Sequence, residues 1–275
     1  MKINVLKFQL TQLQGDKMKK LALLFFLFTL LVLGGCTKGP SPNLCPTVCD
    51  GLVAYYPFYG DATDKSGNGH DGKVLGATLT KDRNGYPNHA YLFNGRANMI
   101  ELPNNNQITN IVQADYTISI WVKVNDDTKK RLMDLVSTYS NNGHIGLEYH
   151  NRDSRISMDH WVKENGPPSN KIKSAITQPQ YRRGEYHHIV GTVDSKTGAV
   201  LIYVDGDKKG DHFWNIGPAA DQRLGFSWGI GKVHLNNSYA PLSGTVDEVR
   251  LFNRALSADE VKELYLFTSA FPAAE

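Results

Sequence analysis

The 275-residue chain has little cysteine and no N-terminal apolar run long enough to cross a membrane. After Cys36 only Cys45 and Cys49 remain, in "CPTVC". Two cysteines make a poor zinc site, because a closed structural site takes about four nitrogen or sulfur ligands. The apolar run from Leu21 to Leu33 is shorter than the ~20 residues of a spanning helix. No internal repeat is present. The sequence therefore excludes a cysteine-only zinc domain, a repeat array and a membrane span at this run.

The N-terminal segment is typical of an export signal. From Met18 the sequence reads "MKKLALLFFLFTLLVLGGC", a basic start followed by an apolar stretch and small residues before a cleavage point. We predict a signal peptide over residues 1–35, in which residues 1–17 are an upstream extension of the reading frame. Cys36 after "LGG" resembles the lipobox of bacterial lipoproteins, which implies that the lipidated Cys36 becomes the mature N-terminus. An ordinary signal peptide with a chance cysteine is the alternative.

The lipobox resemblance also sets the expected location. It implies a chain that is lipid-anchored to the bacterial cell envelope, with its domain outside the cytoplasm. Thr37 stands where an inner-membrane-retaining aspartate would follow the cysteine, so the outer membrane is favoured. Residues 36–50 include the Pro-rich and Gly-containing stretch "TKGPSPNL" and are interpreted as a tether. Residues 51–268 are interpreted as one folded domain.

Removal of the signal changes the charge balance. Five of the 30 Lys and Arg residues and one of the 27 Asp and Glu residues fall within residues 1–35, which leaves 25 basic and 26 acidic side chains. The mature chain therefore lacks the basic excess of a nucleic-acid-binding protein. Because an exported chain can form disulfides, we interpret Cys45 and Cys49 as a local disulfide clasp or as two free thiols.

Past residue 51, short β-type runs are separated by turn residues. "YTISIWVKV" (116–124) alternates, with Ile118 and Ile120 on one face and Trp121 on the other, where we expect a covering layer to bury the indole. An Asp-Gly pair at 205–206 predicts a type I′ hairpin.

The closing segment predicts a short helix. Ser257 and Glu260 form a capping box, and Val261, Leu264 and Tyr265 share the apolar face that follows it. Many short strands with little helix predict an all-β antiparallel sandwich or jelly roll, with this helix at its C-terminal end.

Three stretches resemble the laminin G-like, concanavalin A-like jelly-roll domains of bacterial surface proteins. They are the opening "GLVAYYPFYGDATDKSGNGHDGKVLGATLTKDRNGYPNHAYLFNG", the central "YTISIWVKV" and the closing "LSGTVDEVRLFNRALSADEVKELY". The resemblance runs from Gly51 to Leu266. It implies a sandwich of two curved antiparallel sheets, often with structural calcium and often binding glycans or proteins. The superfamily also contains glycan-cleaving enzymes, so the fold alone does not decide the function.

A calcium site is predicted from the segment "DKSGNGHDG" (64–72). Asp64, Ser66 and Asn68 supply oxygen atoms on alternate residues before Gly69, as in the first half of an EF-hand loop, but the second half is missing. Asp247 is the candidate for the remaining charge, because alternation puts it on the apolar side of its strand. The family resemblance also points to this loop and to this aspartate. The alternative is a hydrogen-bonded turn without metal.

Catalysis is not favoured by the sequence. Glycoside hydrolysis needs two cooperating carboxylates, and strict alternation in "VDEV" puts Asp247 and Glu248 on opposite faces. The chain also has no Glu-x-Asp-x-x-Glu strand like that of the laminarinase-like enzymes. We therefore predict a non-catalytic protein. A glycoside hydrolase or polysaccharide lyase is the alternative, and carboxylates facing each other across a groove would favour it.

The predicted ligand is a glycan or a surface protein. Sugars stack on exposed aromatic rings with polar neighbours, and the candidates are Trp161 with His160 and Trp214 with Asn215. A structural or adhesive module without a small ligand is the other alternative. The sequence does not specify an oligomeric state.

Overall fold

The computed structural model describes residues 47–96, 98–125, 132–140, 143–163, 170–213, 228–231 and 239–269. The first eight strands in it are β1 (Leu52–Tyr56), β2 (Lys73–Leu75), β3 (Thr78–Thr80), β4 (Ala90–Asn94), β5 (Met99–Glu101), β6 (Tyr116–Val124), β7 (Leu132–Ser140) and β8 (Gly143–His150). The next eight are β9 (Arg155–Lys163), β10 (Asn170–Ile176), β11 (Tyr186–Asp194), β12 (Ala199–Val204), β13 (Asp207–Phe213), β14 (Gly229–Ile230), β15 (Tyr239–Ala240) and β16 (Ser243–Phe252). The helices are α1 (Asn106–Thr109), followed by a 3₁₀ turn at Ile111–Gln113, and α2 (Ala258–Ser269).

These strands form two 8-stranded sheets. Sheet A has the order β13-β12-β11-β6-β16-β4-β3, with β1 also paired to β16. Sheet B has the order β10-β9-β8-β7-β14-β5-β2, with β15 also paired to β7. The named strands pair antiparallel except β15 with β7. The predicted all-β antiparallel jelly roll with a short C-terminal helix is confirmed.

The core lies between the two sheets. Alternate residues of β6, such as Ile118 and Ile120, face Leu147 and Met158 of sheet B in one cluster of fully buried apolar side chains. Each such burial contributes about 1.5–3 kcal/mol of transfer free energy. A second apolar cluster packs α2 against the other face of sheet A. Sheet A is therefore covered on both faces.

Two local predictions at the C-terminal end of the domain are confirmed. Asp205 and Gly206 both have positive φ (54° and 79°), as a type I′ hairpin turn requires, and they join β12 to β13. The Ser257 backbone N–H donates to Glu260 Oε2 at 2.9 Å, and the Glu260 N–H donates to Ser257 Oγ at 3.3 Å. The capping box thus begins α2 and fixes the helix against sheet A.

Strand β16, at the centre of sheet A, contains a β-bulge. Val246 lies opposite Val122 of β6, and Glu248 lies opposite the next residue, Trp121, so Asp247 is the extra residue. An extra residue bends the strand and interrupts the alternation of side chains between its two faces.

The bulge overturns the predicted orientation of Asp247. Alternation put Asp247 on the core side with Val249 and Leu251 and put Glu248 on the other face. In the structure both carboxylates reach the guanidinium of Arg83: Asp247 makes a short ion pair with it, and Glu248 Oε2 lies 3.6 Å from Arg83 Nη2. The predicted placement of Asp247 and Glu248 on opposite faces of the strand is wrong.

Asp64 organises the 64–72 loop by accepting hydrogen bonds. Its Oδ1 accepts the backbone N–H groups of Tyr55 and Ser66, each at 2.9 Å. Its Oδ2 accepts the Ser66 hydroxyl at 2.8 Å and the His70 N–H at 2.9 Å. The buried carboxylate therefore ties the loop to β1.

Asn68 completes the attachment of the loop. Its side-chain amide donates to the carbonyls of Leu52 (3.1 Å) and Val53 (2.9 Å) in β1. Gly67 and Gly69 have φ of 91° and 74°, a left-handed conformation that glycine adopts without strain. The glycines thus allow the backbone to turn, and the polar side chains attach the loop to β1 by hydrogen bonds.

The predicted calcium ligands Asp64, Ser66, Asn68 and Asp247 do not fit a metal ion as they are placed. The four hydrogen bonds to Asp64 use the about four lone-pair sites of a carboxylate. Asp247 is bound by Arg83 instead. Among the described residues, no group of three or more His, Cys, Asp or Glu side chains could hold a metal ion. Asp64 and Asp247 are thus bound by protein groups in this structure, and calcium binding by the domain stays a prediction.

His160, predicted to contact a ligand, belongs to the core. It is 2% exposed, and its Nδ1 lies 3.0 Å from the Tyr116 hydroxyl on the inner face of sheet A. Burial lowers the pKa of His160 from 6.5 to about 4. The imidazole is therefore a neutral polar contact between the two sheets.

The described residues include only part of the segment on which the N-terminal predictions were made. Cys49 is disulfide-bonded, but Cys36 and Cys45 lie outside the described residues, so its pairing with Cys45 stays a prediction. Within the described residues, no helix has the length and apolarity needed to cross a bilayer.

We expect Asp64→Asn to destabilise the domain by about 2–4 kcal/mol, because an amide cannot accept all the hydrogen bonds that the buried carboxylate accepts. The loss should be equal in calcium and in chelator, measured by urea unfolding. Asp61→Asn, at an exposed position just before this loop where the amide oxygen can still accept the Thr63 N–H, is the matched control and should change little. A calcium-dependent rise in the Tm of the wild type that Asp64→Asn abolishes would restore the calcium hypothesis.

The contribution of His160 to stability should also fall as the pH drops from about 6.5 to about 4. In this window the unfolded chain protonates His160 while the folded chain does not, so the unfolded state binds more protons. We expect His160→Asn to flatten the decline in the free energy of unfolding. His188, also buried with a lowered pKa, is present in both proteins and cancels in the comparison. An identical pH dependence of the two proteins would contradict the core assignment.

Candidate functional site

A surface pocket of about 180 Å³ lies where the end of β1, the β3–β4 loop and the β16 bulge meet. We call it the Tyr59 pocket. Its lining residues combine aromatic rings with carboxylates, an amide and a guanidinium: Pro57, Tyr59, Asp82, Arg83, Asn84, Tyr86, His89, Asp247 and Glu248. Such a mixture of apolar surface and a few placed polar groups is typical of a small-ligand site.

Tyr59 is displayed at the surface by a strained turn. Phe58 is fully buried yet has φ of 57°, a conformation that is uncommon for a bulky residue. Its ring packs edge-on against Tyr91 at 5.1 Å, and Gly60 N–H donates to the carbonyl of Asn88 at 2.8 Å. The buried ring anchors the turn, and the next side chain, Tyr59, is left 48% exposed.

The β3–β4 loop supplies a second and a third ring. Asp82 Oδ1 accepts the N–H groups of Asn84 (2.9 Å) and Tyr86 (2.8 Å), which fixes the turn. The His89 ring lies 4.9 Å from the Tyr59 ring and 5.8 Å from the Tyr86 ring. Three rings thus form one continuous aromatic surface beside the acidic groups of the pocket.

The floor of the pocket is a buried ionic cluster. Arg83 pairs with Asp247 and Glu248, and Glu248 pairs in turn with Arg250. Burial raises the pKa of Asp247 to about 7, although the charge of Arg83 opposes the rise. Although burial works in the other direction, Asp247 and Glu248 raise the pKa of Arg83 above its ordinary value. The guanidinium is therefore permanently charged and held by Glu248 and by Asp247, whose carboxyl group is fully ionised only above about pH 7.

Arg83 rests on the indole that the sequence predicts to be buried. Trp121 is 6% exposed, and the Arg83 guanidinium lies 4.6 Å from its ring centre. The indole also stacks with His188 and Tyr265, at ring-centre distances of 5.1 Å and 5.8 Å. Trp121 is thus a support for the pocket floor, and the prediction that a covering layer buries it is confirmed.

The other predicted ligand residues are not brought to this pocket. His160 is in the core, as described above. Trp161 lies in β9 opposite Ile172, but its side chain, like Trp214 and Asn215, lies outside the described residues. Sequence reasoning considered only tryptophans and so missed Tyr59. The paired segments "PFYGD" and "NGYPNHAY", each with aromatic residues among turn residues, were the available signal.

Sheet B carries a second group of acidic side chains. Asp134 of β7 lies directly opposite Glu148 of β8, and Glu148 lies opposite Ser157 of β9. Asp159 lies two residues along β9 on the same face. Asp134 is fully buried and Glu148 is 2% exposed, so these carboxylates are covered rather than open to solvent.

Solved structures with the same fold include two toxin domains and one domain of an enzyme. The binding domain of Paraclostridial Mosquitocidal Protein 1 is 22% identical, with a TM-score of 0.64 over 81% of this chain and 53% of that one. The receptor binding domain of a botulinum neurotoxin C/D mosaic serotype is 14% identical, with a TM-score of 0.62 over 81% and 52%. The chain thus spans about half the length of these toxin domains.

The enzyme domain is spanned almost entirely. It is domain 4 of AbnA, a GH43 extracellular arabinanase from Geobacillus stearothermophilus, solved in complex with arabinotriose. The identity is 21% and the TM-score is 0.54, over 78% of this chain and 98% of that one. At these identities the likeness establishes the fold alone.

No curated protein matches the chain. The sequence profile of a laminin G-like family, described as the concanavalin A-like lectin/glucanases superfamily, matches residues 94–262. The match covers more than half of the chain and runs from the end of β4 into α2, which includes the bulged strand. The chain therefore belongs to the concanavalin A-like lectin/glucanases superfamily.

Proposed function

We propose that the domain binds carbohydrate at the Tyr59 pocket without cleaving it. The observation that carries the proposal is the placement of a half-exposed tyrosine against His89, beside carboxylates and the amide-bearing Asn84. An aromatic ring can cover the C–H face of a sugar, while neighbouring polar groups bind its hydroxyls and fix its orientation. Because Phe58 and the Asp82 turn hold these groups in place before a ligand arrives, little ordering entropy would be lost on binding.

The structural neighbours support a binding role. The AbnA domain was solved with arabinotriose, and two of the other neighbours are receptor-binding or binding domains of toxins. A protein partner with exposed polar and aromatic groups is the other ligand class that the pocket suits. The glycan is preferred because the pocket is small and concave.

The carboxylates of the pocket support a non-catalytic role. A glycosidase needs one carboxyl as acid and one as nucleophile or base, both directed at the scissile bond. Asp247 and Glu248 instead bind Arg83, and Glu248 also binds Arg250. Proton transfer to a ligand would require breaking this buried cluster.

Catalysis is the second candidate, because Asp134 and Glu148 face the same side of sheet B as neighbours. Their complete or near-complete burial argues against access by a polysaccharide. Residues 225–227 of the string "GFSWG" (225–229) lie outside the described residues, and Gly229 begins strand β14, whereas a serine-hydrolase elbow leads into a helix. Cleavage of a bound oligosaccharide that Glu148→Gln abolishes would favour the enzyme.

We also propose that the protein is exported and anchored to the cell envelope through lipid on Cys36. The support is the sequence pattern before Cys36 and the tether-like composition after it. With the outer membrane favoured, the anchor would place the Tyr59 pocket outside the cytoplasm, where polysaccharides are found.

Tyr59→Ala should weaken binding of the best ligand on a glycan array by about tenfold, equivalent to ~1.4 kcal/mol. The stacking surface is lost, whereas the fold should be unaffected because the side chain is half exposed. Isothermal titration with the array ligand gives the Kd, and Tyr59→Phe should retain most of the affinity.

Phe213→Ala is the matched control, since Phe213 is an exposed aromatic residue (62%) on edge strand β13 and does not line the pocket. It should bind like the wild type. Equal affinities of Tyr59→Ala and the wild type would refute the location of the site.

Cys36→Ser should abolish incorporation of radiolabelled palmitate into the full-length protein and release the domain from the membrane fraction. Cys49→Ser, which leaves the lipobox intact, is the control and should keep the label. Labelling that persists in Cys36→Ser would exclude this anchor.

A further inference from the structure

We infer that the Tyr59 pocket selects uncharged glycans and rejects those that carry carboxylate or sulfate groups; the inference rests on the proposed glycan-binding function and names its ligand class. The starting observation is the charge of the lining. Asp82, Asp247 and Glu248 supply three carboxyl groups, whereas Arg83 is the one Lys or Arg among the described lining residues. The neighbouring Lys81 is exposed and does not line the pocket.

Arg83 is committed to its own partners. Its two terminal nitrogens pair with Asp247 and Glu248, and its planar face covers Trp121. Its side chain is only 9% exposed. Recognition of an acidic sugar by arginine uses the same two-nitrogen edge that these carboxylates occupy. The guanidinium therefore cannot bind a ligand anion unless a buried ion pair first breaks.

The second cation in this region is also committed. Arg250 is 2% exposed, pairs with Glu248 and lies 4.4 Å from the ring centre of Tyr55. It is not among the residues that line the pocket. The Arg250 guanidinium stabilises the negative charge of Glu248. Because Arg250 does not line the pocket, it donates no hydrogen bond to a ligand there.

An acidic sugar in the pocket would meet unfavourable charge. Its carboxylate would lose water and lie near Asp82 and Glu248 with no Lys or Arg available to bind it, and the one imidazole of the lining, His89, already faces Asp82 with its Nδ1 4.0 Å from Oδ2. A neutral sugar meets the reverse situation, because its hydroxyls can donate to carboxylate oxygens while its ring covers Tyr59. The pocket thus discriminates against acidic sugars in two ways: it has no available Lys or Arg to bind them, and its own carboxyl groups repel them.

The test compares glycans that differ only by the acidic group. Lactose is paired with sialyllactose, and xylotriose is paired with the same chain bearing a glucuronic acid branch, each titrated into the wild-type protein. We expect the neutral member of the pair that binds to have a Kd at least about tenfold lower than its acidic partner. The difference should shrink in part between 50 mM and 1 M NaCl, because salt screens the exposed charge of the ligand but screens the largely buried carboxylates of the pocket less.

A variant provides an independent readout. The double variant Asp247→Asn, Glu248→Gln removes two negative charges and leaves Arg83 available, so the ratio of acidic to neutral affinity should rise at least about tenfold. Wild-type Tm and circular dichroism are required of the variant; if it does not fold, the salt series on the wild type decides. Asp61→Asn, an exposed acid outside the pocket, is the charge control and should leave the ratio unchanged.

The outcomes separate the inference from the proposed function. An acidic member that binds as tightly as its neutral partner, with binding lost in Tyr59→Ala, overturns the inference and leaves the glycan function standing. Binding that is insensitive to Tyr59→Ala, or no binding of either member of any pair or of any array glycan, overturns the proposed function and the inference with it.

Discussion

The contact between Arg83 and the two acidic residues of the β16 bulge holds three separate parts of the chain together. Asp247 and Glu248 come from the central strand of sheet A, and Arg83 comes from the β3–β4 loop. Tyr59, at the end of β1, completes the same pocket. Removing one partner would leave an uncompensated buried charge, which costs far more free energy than replacing both partners with apolar residues. The cluster therefore fixes where the loop lies on the sheet, and the shape of the pocket follows from it.

This cluster explains how a pocket rich in carboxylates can coexist with a stable fold. Taking several ions out of water is expensive, and the expense is offset only when geometry and additional contacts are good. Here the guanidinium of Arg83 also lies on the face of Trp121, and Arg250 lies over Tyr55. A guanidinium group that is stacked on an aromatic ring loses less free energy on burial than an isolated ion does. On the outer face of sheet A, two guanidinium groups are thus each stacked on an aromatic ring.

The 64–72 loop shows a different solution to a similar problem. A buried carboxylate must be neutralised, bound to metal or surrounded by donors. Asp64 follows the third course, with two backbone N–H groups on one oxygen and an N–H and a hydroxyl on the other. Residues with side-chain oxygen atoms at alternate positions before a glycine are therefore not specific for calcium. The same spacing lets a short loop form hydrogen bonds within itself and to the adjacent strand.

By itself the sequence determined the fold class, the hairpin at Asp205, the capped helix and the burial of Trp121. Each of these depends on interactions among neighbours in the chain or on a regular period, and local patterns encode such interactions. The tertiary structure alone decided the orientation of Asp247, the interior position of His160 and the pocket around Tyr59. A single bulged residue shifts the alternation of a strand, and no local pattern marks the bulge in β16. The pocket joins residues up to 191 positions apart, from Pro57 to Glu248, and only the pairing of β1 and β4 with β16 brings them together.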